Sequence, residues 1–305
     1  MRSVRIAAAT ALALPSLVVG TGTAAAVPAP PHSNTCTGTL AAPGVLAGQF
    51  EGNVMIKGVC LVNGGATNID GNLILAPGSG LNATFALNDV TGVGTSSLDV
   101  QGNVRVSSGA VLALGCEPNY APCSDDPAAQ SGGTLTGNNT IQGNLTSSDA
   151  LAAIVHATRI NGNVTQAGGG GGLSCAVPTT GIFSQIHSPV FSDYENNKIG
   201  GNLVAVRITS CYFGALRNQV QGNVTFSSNT MGDPDANEVL TNQIDGNMSC
   251  VSDSPAVHFG DSMGASNMVE KHASGQCGFD VLQPNPAPSG PPTPISVKMA
   301  DAASL

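Results

Sequence analysis

The 305-residue chain has no tryptophan, three tyrosines and only ten lysines and arginines. Tyr120, Tyr194 and Tyr212 are therefore its whole stock of large amphipathic rings, a thin platform for stacking sugars. Nucleic-acid binding needs a basic surface that displaces counterions, and so few cations cannot build one. Long apolar runs are also missing beyond the first twenty-odd residues, so no membrane span is expected. No C-x-x-C pair occurs, and His32, His156, His187, His258 and His272 never fall at metal-ligand spacing. Neither a Gly-x-Ser-x-Gly elbow nor a Lys-Ser/Thr after the glycine run Gly168–Gly172 is present, which leaves no nucleophile or phosphate loop. That run reads as a flexible loop. No catalytic residue, metal or cofactor is expected from motifs.

What is present begins with Arg2 and Arg5, an apolar stretch from Ile6 to Val19, and the small residues Ala24, Ala25 and Ala26. A basic start, a short apolar core and a small-residue cleavage site read as a secretory signal peptide over 1–26. Its removal takes the formal charge from −9 to −11. All eight cysteines follow it: Cys36, Cys60, Cys116, Cys123, Cys175, Cys211, Cys250 and Cys277. An even count in an exported chain favours disulfides. Pairing of sequential neighbours is expected, because each pair brackets one local stretch.

A Gly–Asn–apolar phrase recurs at Gly52, Gly71, Gly102, Gly143, Gly162, Gly201, Gly222 and Gly246, with serine-, threonine- and asparagine-rich sequence between. Two residues before these glycines stand Phe50, Ile69, Val100, Ile141, Ile160, Ile199, Val220 and Ile244. Two residues after stand Val54, Leu73, Val104, Leu145, Val164, Leu203, Val224 and Met248. Strict period-two alternation marks a strand with one buried face, whereas a helix needs apolar positions three and four apart. One short phrase cannot bury its apolar side alone, but coils stacked in register bury a continuous core. The spacings of 19, 31, 41, 19, 39, 21 and 24 residues suggest coils near 20, with some coils lacking the phrase. Stacked asparagines could bond from coil to coil as an amide ladder. Glycine on the inward parity would let the backbone bend or another wall approach, and its asparagine neighbour tolerates a left-handed turn. The sequons at Asn82, Asn138, Asn144, Asn163, Asn223 and Asn247 read mostly as this grammar, not as glycosylation sites.

The repeated phrase resembles secreted bacterial parallel β-helix proteins of the pectin-lyase-like type over roughly residues 36–280. A second likeness is to bactofilin-type polymer-forming solenoids. The resemblance implies an all-β, single-stranded, right-handed parallel β-helix of roughly eight to ten coils, stapled by disulfides and interrupted by irregular loops. The expected organisation is a signal peptide at 1–26, a linker at 27–35, the solenoid at 36–282 and a proline-rich tail at 283–305.

Where the repeat breaks, candidate contact residues appear: Tyr120, Asp125 and Asp126 in one loop, and Phe183, His187, Phe191 and Tyr194 in another. Asp125-Asp126 is an adjacent carboxylate pair that could split its pKa values, or simply a solvated turn. Asp233, Asp235 and Glu238 offer hard oxygens for calcium but match no EF-hand or β-roll spacing. Arg207-Ile208-Thr209 reads as a strand with an outward arginine. The function expected is a secreted or cell-surface non-catalytic solenoid with a structural, adhesive or matrix-binding role. Its partners would be cell-wall or extracellular matrix components, with self-association a further option. The alternative is a polysaccharide-acting β-helix enzyme, a glycoside hydrolase or lyase, whose carboxylates come from different coils.

Overall fold

The computed structural model describes residues 34–88, 95–118, 121–126, 135–258 and 265–278. The signal peptide, most of the linker, Tyr120 and the 283–305 tail lie outside them. Three long parallel sheets form the walls of a β-helix. The ladder wall has ten strands, from Thr35–Cys36 to Ala273–Gly275; the covered wall has eight, from Gly44–Val45 to Glu238–Leu240. The polar wall has nine, from Gly48–Phe50 to Met268–Val269. Each coil visits the polar, ladder and covered walls in turn, and ten ladder-wall strands match the expected coil number.

All sixteen apolar positions of the phrase are buried, none above 4% exposure, which is the period-two reading realised. Burying each such side chain stabilises the fold by roughly 1.5–3 kcal/mol relative to leaving it exposed. The spacings mean something else, however. Val104 pairs directly with Leu145, and Val164 with Leu203, so the intervals of 41 and 39 residues are single coils carrying insertions. No coil lacks the phrase between them, because a parallel neighbour sits one coil away in the same register.

The glycine also has a different cause from the one expected. A Cβ on Gly102, Gly143 or Gly222 would lie 2.6 Å from the preceding coil's glycine carbonyl oxygen and 2.6–2.7 Å from its asparagine Oδ1. Coil-to-coil approach, not bending, forbids a side chain there. Nor do the phrase asparagines adopt left-handed backbone. Their side chains do the work: Asn163 donates its backbone N–H and its Nδ2 to Asn144 Oδ1 at 2.8 and 3.2 Å. The same pair of bonds joins Asn53, Asn72, Asn103, Asn144, Asn163, Asn202, Asn223 and Asn247 into one ladder. Four of the six sequons are rungs of it.

A second, buried ladder runs at the corner between the covered and polar walls, in the opposite sense. Here the earlier coil donates to the later: Asn197 to Asn218, Asn218 to Asn242, Asn242 to Asn267. Each Nδ2 also reaches a strand-end carbonyl, those of Val155, Tyr194, Ala215 and Val239 in turn. The corner residues before this ladder, Ala157, Asn196, Arg217 and Thr241, all take left-handed φ between 44° and 57°.

The four disulfides join Cys36–Cys60, Cys116–Cys123, Cys175–Cys211 and Cys250–Cys277, the sequential pairing, with Cα separations of 6.5, 4.8, 4.9 and 5.2 Å. Gly168–Gly172 is an ordered element, contrary to the flexible loop expected: all five residues have φ between 69° and 100°. Gly170 donates to Ala150 and Gly172 to Thr209, threading the run between coils in a conformation that only glycine sustains over five residues. Arg207 likewise sits in a left-handed turn at φ 55°, not on a strand, and Ile208 beside it is buried.

The buried ladder has one defect. Thr158 stands where an asparagine would, and Asn139 Nδ2 is buried without a partner among the described residues. Thr158→Asn should supply the missing acceptor and raise stability by about 1 kcal/mol, the net worth of a buried hydrogen bond. Urea denaturation checks this; an unchanged or lower midpoint would show that the unpaired amide costs nothing.

Candidate functional site on the covered wall

The covered wall departs from alternation. Ala152–His156 and Tyr212–Leu216 are buried at all five positions, because both faces are packed. Inward, Tyr194, Phe213 and Phe226 stack with ring centroids 6.2 and 5.6 Å apart. Tyr194 donates its hydroxyl to Gln166 inside the coil. Outward, the insertion after the glycine run lays a single helical turn, Ile182–Gln185, over the sheet. Phe183 of that turn meets Phe191 edge-on at 5.8 Å, over Val59, Gly80, Val111 and Ile154.

Further along this outer face, side chains from several coils converge. His156 Nε2 lies 2.9 Å from Asp193 Oδ1 one coil later. Arg217, from the left-handed corner of the next coil, places Nη2 2.5 Å from Glu195 and Nε 3.2 Å from Asn196 Oδ1. Glu117 arrives from the insertion after Leu114 and accepts from Asn196 Nδ2, with Arg217 4.0 Å away. One coil on, Tyr212 folds over the gap left by Gly214 and donates to Glu238 Oε2 at 2.9 Å. Their burial is deep: Glu238 is 2% exposed, His156 5%, Asp193 7% and Tyr212 8%.

Enclosure shifts the protons. Burial pushes Glu195 up, reinforced by Asp193 and opposed by His156 and Arg217, to about 7. Burial alone would lower His156, but the charge and hydrogen bond of Asp193 outweigh it and raise it to about 9. Glu117 is raised by burial against the hydrogen bond from Asn196, and Tyr212 is raised by burial and by Glu238. Chemically the group contains a carboxyl that titrates near neutrality beside an imidazolium, the ingredients of acid–base work. His156, Asp193 and Glu238 are buried within it, while Glu117, Glu195 and Arg217 keep partial exposure at its edge.

His156, Asp193 and Glu195 bring ligand atoms within 4.8 Å of one another. Arg217 already pairs with Glu195, and His156 Nε2 with Asp193 Oδ1, so an ion held there would have to displace both contacts. His156 Nδ1 is buried without a hydrogen-bond partner among the described residues.

The residues singled out by sequence are distributed differently. Asp125 accepts from the backbone N–H groups of Ala86 and Leu87, and Thr84 bonds Ser124, so this insertion is sewn to the 84–87 loop. Asp126 is buried beside it. Phe183, Phe191 and Tyr194 are packing residues, all under 5% exposed, whereas His187 is exposed at φ 51°. Asp233 and Asp235 share an exposed turn, where Asp233 Oδ1 accepts the Asp235 N–H; Glu238 turns instead to Tyr212. Tyr120 lies outside the described residues. The cluster itself escaped notice, though a signal exists. His156 and Glu195 each stand six residues before a repeat glycine, so aligning coils on that glycine stacks one on the other.

Comparison with family models, curated proteins and solved structures finds no match. Among the described residues, no helix is long and apolar enough to cross a membrane.

The cluster makes stability fall as pH rises. Glu195 moves from 4.5 unfolded to about 7 folded, and His156 from 6.5 to about 9. In both windows the folded state holds more protons, so stability present at low pH is lost on going up through the folded values. Denaturation at pH 5, 7 and 9 should give falling midpoints, and His156→Gln should flatten the upper step. A midpoint that rises from pH 5 to 9 would contradict the assignment.

Proposed function

We propose that the mature chain is an exported, non-catalytic solenoid with a structural or adhesive role toward cell-wall or extracellular matrix polymers. One observation carries this reading: the ionisable groups gathered from separate coils are spent on one another and mostly buried. Asp193 holds His156, Glu195 holds Arg217, and Glu238 holds Tyr212. Such a group ties Glu117 of its insertion to the wall through Asn196 and Arg217. Four disulfides suit an oxidising compartment, and the sequence-level signal peptide supports export. The likeness to pectin-lyase-like and bactofilin-type solenoids rests on the same repeated phrase and agrees with a rod built for an extracellular surface.

A second reading has its own support. Carboxylates from different coils do converge on one wall, and a carboxyl at about 7 is poised for general acid or base catalysis. That would make the chain a polysaccharide-acting enzyme whose cover moves.

Both are tested by incubating the purified mature chain with insoluble cell-wall and matrix polysaccharides. Retention on the polymer without release of reducing ends or unsaturated products is expected. Product release that disappears in a folded Glu195→Gln variant would overturn the non-catalytic reading in favour of the enzyme.

A further inference from the structure

The exposed faces of the two uncovered walls are chemically segregated. On the polar wall the outward positions carry long side chains, among them Arg159, Lys198, Gln219 and Gln243. On the ladder wall, five consecutive strands from Leu145–Ser148 to Met248–Val251 present only short ones. One row reads Thr146, Thr165, Val204, Thr225, Ser249, each the register partner of the next. The row two residues on reads Ser148, Ala167, Val206, Ser227, Val251. None is charged, and all are partly or fully exposed.

Strand propensity alone does not produce this. The polar wall uses glutamine, lysine and arginine in the same kind of parallel ladder, so the restriction to serine, threonine, valine and alanine belongs to these five strands. The same row continues on the preceding strands as Arg105, Ile74 and Met55. Most of these residues are β-branched and hold one χ1 well, so the surface is stiff before anything binds. The amide ladder runs along its edge through Asn144, Asn163, Asn202, Asn223 and Asn247, fixing the start of every strand at one register. The array is therefore a two-dimensional lattice of hydroxyls and methyls, with repeats of roughly 4.8 Å between strands and roughly 6.6 Å along them.

Three classes of partner fit poorly. A charged ligand finds no counter-charge in either row. A polysaccharide sheet finds no aromatic platform, since Tyr194 and Tyr212 are buried in the covered wall and tryptophan is absent. A second copy of the chain would gain too little: five strands by three residues is on the order of 250 Å², against about 800 Å² per partner in a stable protein interface. What remains is a neutral, rigid partner that repeats on the same scale in two dimensions, and crystalline water is one.

We propose that this face of the ladder wall, from Thr146 to Val251, is an ice-binding surface. Its methyl groups order the adjacent water, and its hydroxyls bond into the same layer. Thr146, Thr165 and Thr225 have no hydrogen bond within the described residues that would compete. The face lies on a different wall from the His156 cluster, so the proposal stands whether or not that cluster is catalytic.

Slow freezing of the mature chain onto a cold probe tests this, with the protein measured in the ice fraction and the remaining liquid. Wild type should concentrate in the ice. Thr165→Lys and Val204→Lys, at the centre of the face, should cut the ice fraction roughly tenfold, because an ammonium cannot give up its hydration to a neutral lattice. Gln219→Lys on the polar wall, with the same added charge, should leave it unchanged. Circular dichroism of all three variants establishes that they are folded. Exclusion of wild type from ice would overturn the proposal, as would equal loss in Gln219→Lys. Exclusion from ice with retention on microcrystalline cellulose or chitin that Val204→Lys removes would reassign the face to a polysaccharide. A dimer in sedimentation that Val204→Lys dissolves would reassign it to a second copy.

Discussion

A buried primary amide has one oxygen and one nitrogen to satisfy, and at the corners of this solenoid the ladder asparagines find their partners on the adjacent coils. That constraint organises the molecule. In the inner ladder, Asn218 takes two bonds at Oδ1 from Asn197 and gives two from Nδ2, to Asn242 and the Tyr194 carbonyl. Every bond is met only if each coil sits one strand spacing from the next and turns at the same residue. A slip of one residue would strand several buried donors at once, each costing about 1–3 kcal/mol. The outer ladder repeats the logic in the opposite direction, so the coils from Asn197 to Asn267 are locked at both corners. The glycine before each outer asparagine from Asn72 onward follows from the same geometry, since a Cβ would collide with the neighbouring rung.

Extra sequence leaves at the turns flanking the covered wall, after the covered strands that end at Ala83 and Leu114 and after the ladder strand that ends at Ala167. Insertions after Ala83, Leu114 and Ala167 bring Asp125, Glu117 and Phe183 to places where they bond to another loop or cover the outer sheet. Covering a parallel wall makes both of its faces interior, as parallel sheets require in most folds. Outward residues such as His156, Asp193 and Glu195 then become buried charges that must find partners.

The sequence made some of this legible and hid the rest for physical reasons. The sixteen apolar residues flanking the glycines could be read because period-two burial depends only on neighbours along the chain. The disulfides could be read because each closes a local stretch. The intervals of 39 and 41 residues could not, since length alone does not separate an extra coil from a loop, and only the register of Leu145 on Val104 decides it. Gly168–Gly172 looked flexible because five glycines in isolation are; the carbonyls and amides of Ala150 and Thr209 that hold them come from other coils. Arg217 and Glu195 lie 22 residues apart and meet only because a coil turn lies between them.

The most direct test of the ladder account compares Asn218→Ala with Asn163→Ala by urea denaturation. Asn218 is fully buried, so its loss leaves the Asn197 amide donors and the Tyr194 carbonyl with unmet bonds in the interior. Asn163 is exposed, and water can replace what it gives up. The account predicts a loss of about 3 kcal/mol or more for Asn218→Ala and about 1 kcal/mol or less for Asn163→Ala. Losses of similar size at the two positions, or an Asn218→Ala variant as stable as wild type, would contradict it.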